Sequence, residues 1–495
     1  MKQPNLLFVM CDQLRADAIA ALGNSTVHSP NLDRLAQRGV AFTNAYSSCP
    51  VCTPARYIIR TGREPHTTGI FQNGPFEIPE GLPAGMEERC GPYLARTLAD
   101  AGYRTFGIGK FHTSPWNEEI GYEVQLHTEE LFENPYQRSH DAYARFLAER
   151  YPAFEYLEQL HGERTDMYYI PQMSPLPAEL TVESWVADRA IEQLRVEDER
   201  PYFGFVSFIG PHPPCAPPIP YNRMYNPDQM SNPVRGEREI DLMDEQIAWM
   251  NYAVWAEDIN DSLARKIKSR YYGELTYIDQ CLGRILDEVE ARGDGDNTLI
   301  CFFSDHGDHL GDHHAWQKES FFEASCRIPF LLSWPAQLSQ DGEVRRELVG
   351  LTDLFSIATH AAGVGDVRDG IDVLGVLADR AEPREHLFGY YGVPGTRQFK
   401  VMVRSGEWKY IFMANGGREQ LFHVGDDPNE LEQLLGRHPK VASRLRRVAY
   451  NEIAAHTGMR QALDGDDLKV LEFEARPLIR IMQFEESKGI RDFGM

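Results

Sequence analysis

The sequence predicts an α/β fold built on a mostly parallel sheet, followed by a smaller α+β domain. Strands are indicated by short, almost wholly apolar segments, which are typical of strands buried on both faces of a sheet. Stretches with helical signals separate these segments, and helices that alternate with apolar strands favour a parallel sheet. The four clearest segments are residues 5–11, 103–108, 202–208 and 298–303.

Two of the intervening helices can be recognised from their ends or their period. In residues 28–40, Ser29 is the expected N-cap, Pro30 lies in the first turn and Gly39 follows the last turn. A longer helix is predicted ahead of the fourth strand, because apolar residues recur there at steps of three and four. These residues are Leu275, Ile278, Leu282, Ile285 and Val289.

Each predicted strand is followed by a charged residue or a histidine. Asp12 follows the first strand, and the segments GKFH (109–112), PHPP (211–214) and SDHGDH (304–309) follow the other three. In open α/β sheets, ligands bind beyond the carboxyl ends of the strands. These strand ends therefore predict a single site at one edge of the sheet.

Two internal regions and the C-terminal part depart from this alternation. Residues 119–180 and 213–262 are rich in proline, aromatic and acidic residues, and we expect long loops or inserted helices over the site. The C-terminal part has short strand-like segments before a helix, which indicates an antiparallel sheet. We expect a large domain at 1–380 and an α+β domain at 381–495. An ordered tail at 476–495 would favour a homo-oligomer.

The composition limits the classes of partner. The chain has 495 residues, 42% of them hydrophobic, which is enough for a large core. Its 50 basic and 74 acidic residues give a net charge of −24, which repels nucleic acid and anionic membranes. No apolar run is long enough to span a bilayer, and the first residues lack the features of a signal peptide. We expect a cytoplasmic protein without nucleic-acid or membrane partners, whose small anionic substrate binds in a local positive pocket.

The segment CPVCTPARYIIRTG, residues 49–62, contains the cysteine that most needs an explanation. The eight cysteines of the chain form no disulfide framework, so Cys52 is either a buried structural residue or a reactive one. A redox pair with Cys49 is disfavoured, because its surroundings are unlike those of thioredoxin. A cysteine phosphatase is excluded by spacing, because it needs an arginine where this chain has Ile58.

The same segment resembles the active-site motif of the type I sulfatases of the alkaline phosphatase superfamily. The resemblance rests on CTPAR (52–56), which is followed by Thr61 and Gly62. Further similar segments are residues 102–112, 304–313 with Lys318, 404–412 and 421–435. The resemblance implies a large alkaline-phosphatase-like domain and the oxidation of Cys52 to formylglycine by a formylglycine-generating enzyme.

This resemblance implies a nucleophile that carries two hydroxyls on one carbon, the hydrate of the formylglycine aldehyde. One hydroxyl attacks sulfur and forms a covalent sulfate ester, as an activated nucleophile does. The other hydroxyl then loses its proton and expels sulfate, which restores the aldehyde. A divalent cation lowers the pKa of the attacking hydroxyl.

The residues that the resemblance implies as metal ligands are Asp12, the modified Cys52, Asp305 and His306. Two positions depart from the commonest family pattern, since Gln13 stands where a second aspartate is usual and His306 where an asparagine is usual. One carboxylate fewer and one imidazole more make the site less typical of calcium and favour a transition ion. We expect manganese or calcium, in a centre that resembles the choline-sulfatase and phosphonate-monoester-hydrolase branches.

The other implied roles follow the charge of each side chain. Arg56 holds the hydrate and its oxyanion, and Lys110 and Lys318 neutralise the sulfate oxygens. His112 takes the hydrate proton during elimination, and His212 protonates the departing alcohol. Candidate substrate contacts are Gln13 and Asn73.

The predicted function is hydrolysis of a sulfate monoester, with a small sulfated carbohydrate or a similar ester as substrate. The alternative is a phosphonate monoester or phosphodiester hydrolase that uses the same formylglycine and metal site. Lys110 and His112 favour the sulfatase, because the phosphonate enzymes carry tyrosine and threonine at these places. A third hypothesis is a relative that binds sulfated sugars without turnover. It is disfavoured, because every expected catalytic position is occupied.

Trypsin should release Cys52 in the peptide 39–56, together with Cys49. From a host that contains a formylglycine-generating enzyme, we expect mass spectrometry to find part of this peptide with an aldehyde at position 52. Cys49 stands outside the CTPAR motif, and as an internal control it should remain a thiol. Recovery of position 52 as thiol alone would contradict the prediction.

Overall fold

The computed structural model describes residues 3–74, 78–79, 81–160, 162–236, 244–254, 256, 259–338 and 342–476. The strands are β1 Asn5–Cys11, β2 Val40–Phe42, β3 Ala45–Tyr46, β4 Arg104–Gly109, β5 Val124–His127, β6 Tyr202–Phe208, β7 Thr298–Ser304, β8 Phe330–Ser333, β9 Glu343–Arg345, β10 Val349–Gly350, β11 His386–Tyr391, β12 Lys400–Ser405, β13 Trp408–Met413, β14 Arg418–His423, β15 Leu463–Asp464 and β16 Asp467–Leu468. The α-helices are α1 Pro30–Gln37, α2 Cys52–Thr61, α3 Pro65–Thr68, α4 Met86–Cys90, α5 Leu94–Asp100, α6 Pro135–His140, α7 Ala142–Arg150, α8 Leu157–Leu160, α9 Val182–Leu194, α10 Glu245–Ala253, α11 Asp261–Ala291, α12 Glu323–Cys326, α13 Asp353–Ala361, α14 Val373–Leu377 and α15 Pro439–Ala455.

The largest sheet has the strand order β5-β4-β6-β1-β7-β8-β2-β9. From β5 to β7 all neighbours are parallel, whereas β8 runs antiparallel to both β7 and β2. The α/β fold is therefore confirmed. The four apolar segments are β1, β4, β6 and β7, and each observed end lies within one residue of the predicted one.

The register of these strands brings their carboxyl ends to one edge of the sheet. Cys11, the last residue of β1, pairs with Phe208 of β6 and with Ser304 of β7. Gly109, the last residue of β4, pairs with Ser207. The residues that follow each strand therefore enter the same space, as ligand-binding residues of such sheets do.

Helices cover both faces of the sheet. Leu7 and Val9 of β1 pack in the core on the side of α9 and α11, while Leu6 and Phe8 pack in the core on the side of α2 and α13. This alternation follows from the two-residue period of a strand. The long α11 confirms the helix predicted before the fourth strand, and its periodic apolar residues are at most 1% exposed.

The C-terminal strands β11 to β14 form a separate antiparallel sheet, as predicted. The domain boundary at residue 380 remains a prediction. Two buried lysines of this sheet hold the segment that follows Lys318. Lys400 Nζ donates to Glu319 O at 2.6 Å, and Lys409 Nζ donates to Phe321 O at 2.8 Å. The second sheet thus supports one wall of the site.

The first of the two predicted insertions contains β5 and the helices α6 to α8, and the second contains α10. Of the expected tail, residues 477–495 lie outside the described residues. In the described part of the chain, no helix is long and apolar enough to cross a membrane.

Ser29 is the N-cap residue of α1, as predicted, but its side chain makes no capping hydrogen bond. The Ser29 hydroxyl accepts a hydrogen bond from Ala20 N at 3.2 Å. The carboxylate of Asp279 in α11 caps α1 instead, accepting from Asn31 N at 3.1 Å and from Leu32 N at 2.8 Å. The N-cap preference of serine is local, whereas this carboxylate comes from a distant helix.

The Asp279→Ala variant should therefore lower the thermal unfolding midpoint more than Ser29→Ala does. Removing the buried carboxylate leaves backbone donors of α1 unsatisfied, which costs roughly 1–3 kcal/mol. Removing the serine hydroxyl deletes one hydrogen bond of about 1 kcal/mol. Calorimetric melting of both variants beside the parent measures the difference, and a larger effect of Ser29→Ala would show that the serine is the cap.

Candidate active site

Cys52 lies at the carboxyl edge of the sheet, as the first residue of α2. All residues of α2 are buried, and Cys52 itself is 1% exposed. Its Sγ is 3.8 Å from an oxygen of Asp12, the residue that follows β1. A helix buried over its whole length holds its first side chain in one position against the strand ends.

Four side chains converge beside this cysteine. They are Asp12, Cys52, Asp305 and His306, and each offers a ligand atom that lies within 4.8 Å of the other three. His306 Nε2 is 3.2 Å from Cys52 Sγ and 3.7 Å from an oxygen of each carboxylate. The structure thus brings together the residues that the sequence implied as metal ligands. Sγ marks the position of the oxygens that formylglycine and its hydrate would carry.

The donor set fits one divalent cation. His306 Nδ1 donates to Gly307 O at 3.0 Å, so Nε2 presents its lone pair to the centre. Burial lowers the pKa of His306, which keeps the imidazole neutral. The backbone N–H groups of Gln13 and His306 donate to Asp305 Oδ1 at 3.1 and 3.0 Å and orient this carboxylate. Oriented carboxylates and a neutral imidazole are typical ligands of a divalent metal.

Arg56 lies one turn after Cys52 on α2 and binds both carboxylates. Its Nη2 donates to Asp12 Oδ2 at 2.9 Å, and its Nε donates to Asp305 Oδ2 at 3.1 Å. Burial opposes the charge, but Asp305 and Asp12 outweigh it and raise the pKa of Arg56. The guanidinium therefore fixes the carboxylates that face the metal position. Its expected contact with the hydrate remains a prediction.

Lys110 follows β4 and is fully buried. Its Nζ is 2.5 Å from Asp12 Oδ2 and 4.0 Å from Cys52 Sγ, and it also contacts the carboxylate of Glu130. Burial alone would lower the pKa of Lys110, but Asp12 and Cys52 raise it well above its usual value. A lasting positive charge therefore lies beside Cys52.

Lys318 and His212 form a buried hydrogen-bonded pair. Lys318 Nζ lies 3.0 Å from His212 Nε2 and also donates to Gln13 Oε1 at 2.6 Å. His212 Nδ1 donates to Pro213 O at 2.7 Å, which leaves Nε2 as an acceptor. Burial, opposed by Glu130, lowers the pKa of His212 to about 3. In the free centre the proton therefore lies on Lys318 and His212 is neutral.

Gln13 is oriented by two residues that the sequence reasoning did not select. Its Nε2 donates to Asp308 Oδ2 at 2.6 Å, and the hydroxyl of Tyr169 donates to the same carboxylate oxygen at 2.8 Å. Gln13 thereby presents Oε1 to Lys318. Asp308 could have been selected from the sequence, because it lies shortly after the fourth predicted strand, where site residues are expected. Tyr169 could not, because it lies in an insertion without a motif.

His112 is half-buried and contacts Glu129. Its backbone N–H donates to Glu129 Oε1 at 2.5 Å, and Nδ1 lies 3.6 Å from Oε2. Burial, with the charge of Lys110, lowers the pKa of His112 and favours the neutral ring that a base needs. Glu129 and Glu130 were missed, because two adjacent acids in a loop are usually solvated and carry no motif.

Asn73 was expected to contact the substrate, but the structure places it at the N-terminus of the nucleophile's helix. Its Oδ1 accepts a hydrogen bond from Thr53 N at 3.0 Å. This contact satisfies a backbone donor in the first turn of α2 and so helps to position Cys52. A direct contact with substrate remains a prediction.

The unmodified thiol of Cys52 is a weak nucleophile in this pocket. Burial, followed by the negative charge of Asp12, raises the pKa of Cys52 to about 12. Because the thiolate is the nucleophilic form of cysteine, the thiol is almost unreactive near neutral pH.

Comparison with known proteins agrees with this geometry. A family model described as Sulfatase matches residues 4–364, a range that includes Asp12, Cys52 and Lys318. The chain belongs to the sulfatase family. A second model, described as N-sulphoglucosamine sulphohydrolase, C-terminal, matches residues 311–452. The resemblance drawn from the motifs is confirmed, and with it the assignment as an enzyme of the sulfatase class.

Similar proteins cover nearly the whole chain. It is 27% identical to an arylsulfatase of Clostridium perfringens, over 91% of this chain and 94% of that protein. It is 28% identical to a choline-sulfatase of Rhizobium meliloti, over 96% and 90% of the two chains. The crystal structure of a phosphonate monoester hydrolase of Agrobacterium radiobacter shares the fold, with a TM-score of 0.75 at 24% identity over 96% of this chain and 100% of that one. Sulfatases generally use formylglycine and a divalent metal, and the four converging side chains of this sulfatase fit both.

If Asn73 positions the nucleophile, Asn73→Ala should lower kcat several-fold and leave KM unchanged. Aspartate caps helices as well as asparagine does, so Asn73→Asp should keep kcat near that of the parent. Steady-state kinetics with a chromogenic sulfate ester measures both constants. A direct substrate contact predicts the opposite pattern, in which KM rises in Asn73→Ala and rises further in Asn73→Asp through repulsion of the anion.

Proposed function

We propose that this chain hydrolyses sulfate monoesters to an alcohol and sulfate, with formylglycine at position 52 as the nucleophile. The observation that carries the proposal is the position of Cys52 between two kinds of side chain. Metal-type ligands surround its Sγ on one side, and the buried ammonium of Lys110 lies 4.0 Å from it. A site built in this way can activate a hydroxyl and stabilise an anion in the same place.

The cation would be held by Asp12, Asp305, His306 and the modified residue 52. When bound, the cation would lower the pKa of a hydroxyl of the formylglycine hydrate. We propose manganese or calcium, and the imidazole of His306 supports manganese. Arg56 donates to both carboxylates and orients them toward this position.

The positive side chains would bind and stabilise the sulfate group. Lys110 and Lys318 neutralise its oxygens as charge builds up on them. Lys318 would pass a proton to His212 Nε2, and His212 would protonate the departing alcohol. His112, as a neutral base, takes the proton of the second hydroxyl when sulfate is expelled.

A small ester is the favoured substrate, such as a sulfated carbohydrate. The side chains that would meet the sulfate group are almost completely buried, and the net charge of −24 disfavours a long polyanion.

The burial of the site also limits when Cys52 can be converted to formylglycine. Because Cys52 is 1% exposed in the folded chain, we propose that a formylglycine-generating enzyme acts on it before folding is complete.

The alternative substrate class is a phosphonate monoester or phosphodiester. Gln13 beside Asp12 and His306 beside Asp305 support it, since these residues resemble the metal site of that branch. Lys110 and His112 support the sulfate ester instead. We therefore place sulfate monoesters first.

The test is the ratio of kcat/KM for 4-nitrophenyl sulfate to that for 4-nitrophenyl phenylphosphonate, measured on one manganese-loaded preparation. We expect a ratio well above one, because the lysine and histidine after β4 favour the sulfate ester. The Cys52→Ala variant is the matched control and should lose turnover of both esters while its fold, measured by circular dichroism, is retained. A ratio well below one would move the chain to the phosphonate branch, and full activity of Cys52→Ala would exclude the mechanism.

A further inference from the structure

Glu130 places a carboxylate on the anion-binding side of the centre. It follows β5, and its carboxylate contacts the ammonium of Lys110, while Oε2 lies 3.8 Å from His212 Nε2. These are the groups assigned above to the sulfate oxygens and to the departing alcohol. The side chain is 14% exposed, so it lies within the pocket rather than on the surface.

The backbone next to Glu130 is firmly held. The N–H of Glu129 donates to Asp141 Oδ2 at 2.9 Å, and Asp141 forms a fully buried ion pair with Arg164 at 2.8 Å. The carboxylate of Glu129 lies 2.6 Å from His127 Nε2. Glu130 is therefore directed into the pocket by a fixed segment and is not a freely moving surface acid.

This carboxylate changes the charge that a substrate meets. The ammonium groups of Lys110 and Lys318 are the two positive charges assigned above to the sulfate oxygens. The carboxylate of Glu130 contacts one of them, Lys110, and so offsets part of the positive charge that a bound anion meets on this side. Burial works against its ionisation, but the ammonium of Lys110 helps to hold the pKa of Glu130 well below its usual range.

Charge separates the esters that such a site could bind. A sulfate monoester, a phosphodiester and a phosphonate monoester each carry one negative charge. A phosphate monoester carries two above its second pKa, which is about 6. In a pocket with little water, an added like charge is penalised more strongly than in solution.

We propose that Glu130 makes this centre selective for esters with one negative charge and excludes phosphate monoesters. The inference rests on the proposed function for the reaction itself. It does not depend on whether the preferred monoanion is a sulfate or a phosphonate ester. Glu130 is thus a specificity residue that no motif marks.

The test is Glu130→Gln, which removes the charge and keeps the size of the side chain. Three esters are compared above the second pKa of the phosphate: 4-nitrophenyl sulfate, 4-nitrophenyl phenylphosphonate and 4-nitrophenyl phosphate. We expect the sulfate-to-phosphate ratio of kcat/KM to fall about ten-fold or more, since close like charges are strongly disfavoured. The sulfate-to-phosphonate ratio should stay as it is in the parent.

Two control variants separate charge from structure. Glu130→Asp keeps the charge and should keep the selectivity. Glu133→Gln removes an exposed carboxylate from the same loop and should change neither ratio. In a Cys52→Ala background, calorimetry should show that Glu130→Gln tightens the binding of 4-nitrophenyl phosphate relative to 4-nitrophenyl sulfate.

The outcomes are distinct from those that test the proposed function. An equal loss with all three esters in Glu130→Gln would overturn the inference and make Glu130 a positioning residue for Lys110. An unchanged sulfate-to-phosphate ratio would overturn it as well. A parent enzyme that prefers the phosphonate ester would contradict the proposed sulfate preference, yet the fall in the monoanion-to-phosphate ratio would still support the role of Glu130.

Discussion

The centre of this protein depends on a buried guanidinium placed between two buried carboxylates. Asp12 and Asp305 follow neighbouring strands, and without a counter-charge their proximity in a dry interior would be strongly unfavourable. Arg56 binds both, at 2.9 and 3.1 Å, from the helix that begins with Cys52. Removing one partner from such a buried pair costs about 3–5 kcal/mol. The contact that neutralises the metal-facing acids therefore also places the nucleophile.

The remaining walls of the site are held from farther away. Lys400 and Lys409 of the C-terminal sheet donate to backbone carbonyls of the segment that follows Lys318, so the second sheet supports this wall of the site. Tyr169, which lies in the first insertion, donates a hydrogen bond to Asp308, and Asp308 in turn accepts a hydrogen bond from Gln13.

The elements that the sequence predicted best are those with a strong local pattern. β1, β6 and α11 were visible because strand and helix periods repeat over many residues of the same segment. Ser29 was correctly predicted as the N-cap residue of α1, but the local pattern could not show that Asp279 of a distant helix supplies the acceptor. The hydrogen bond from Thr53 N to Asn73 Oδ1 shows the same limit, since it joins residues twenty positions apart and no local pattern predicts it.

The sequence by itself determined the fold class, the edge of the sheet where the site lies, and the residue types that surround Cys52. It could do so because strand periodicity, turn chemistry and a spaced motif are local properties of the chain. The tertiary structure alone decided the pairing of charges. It placed Arg56 on Asp12 and Asp305, paired Lys318 with His212, and set Glu130 against Lys110. Such pairings join residues far apart in sequence, and burial sets their strength, which no local pattern records.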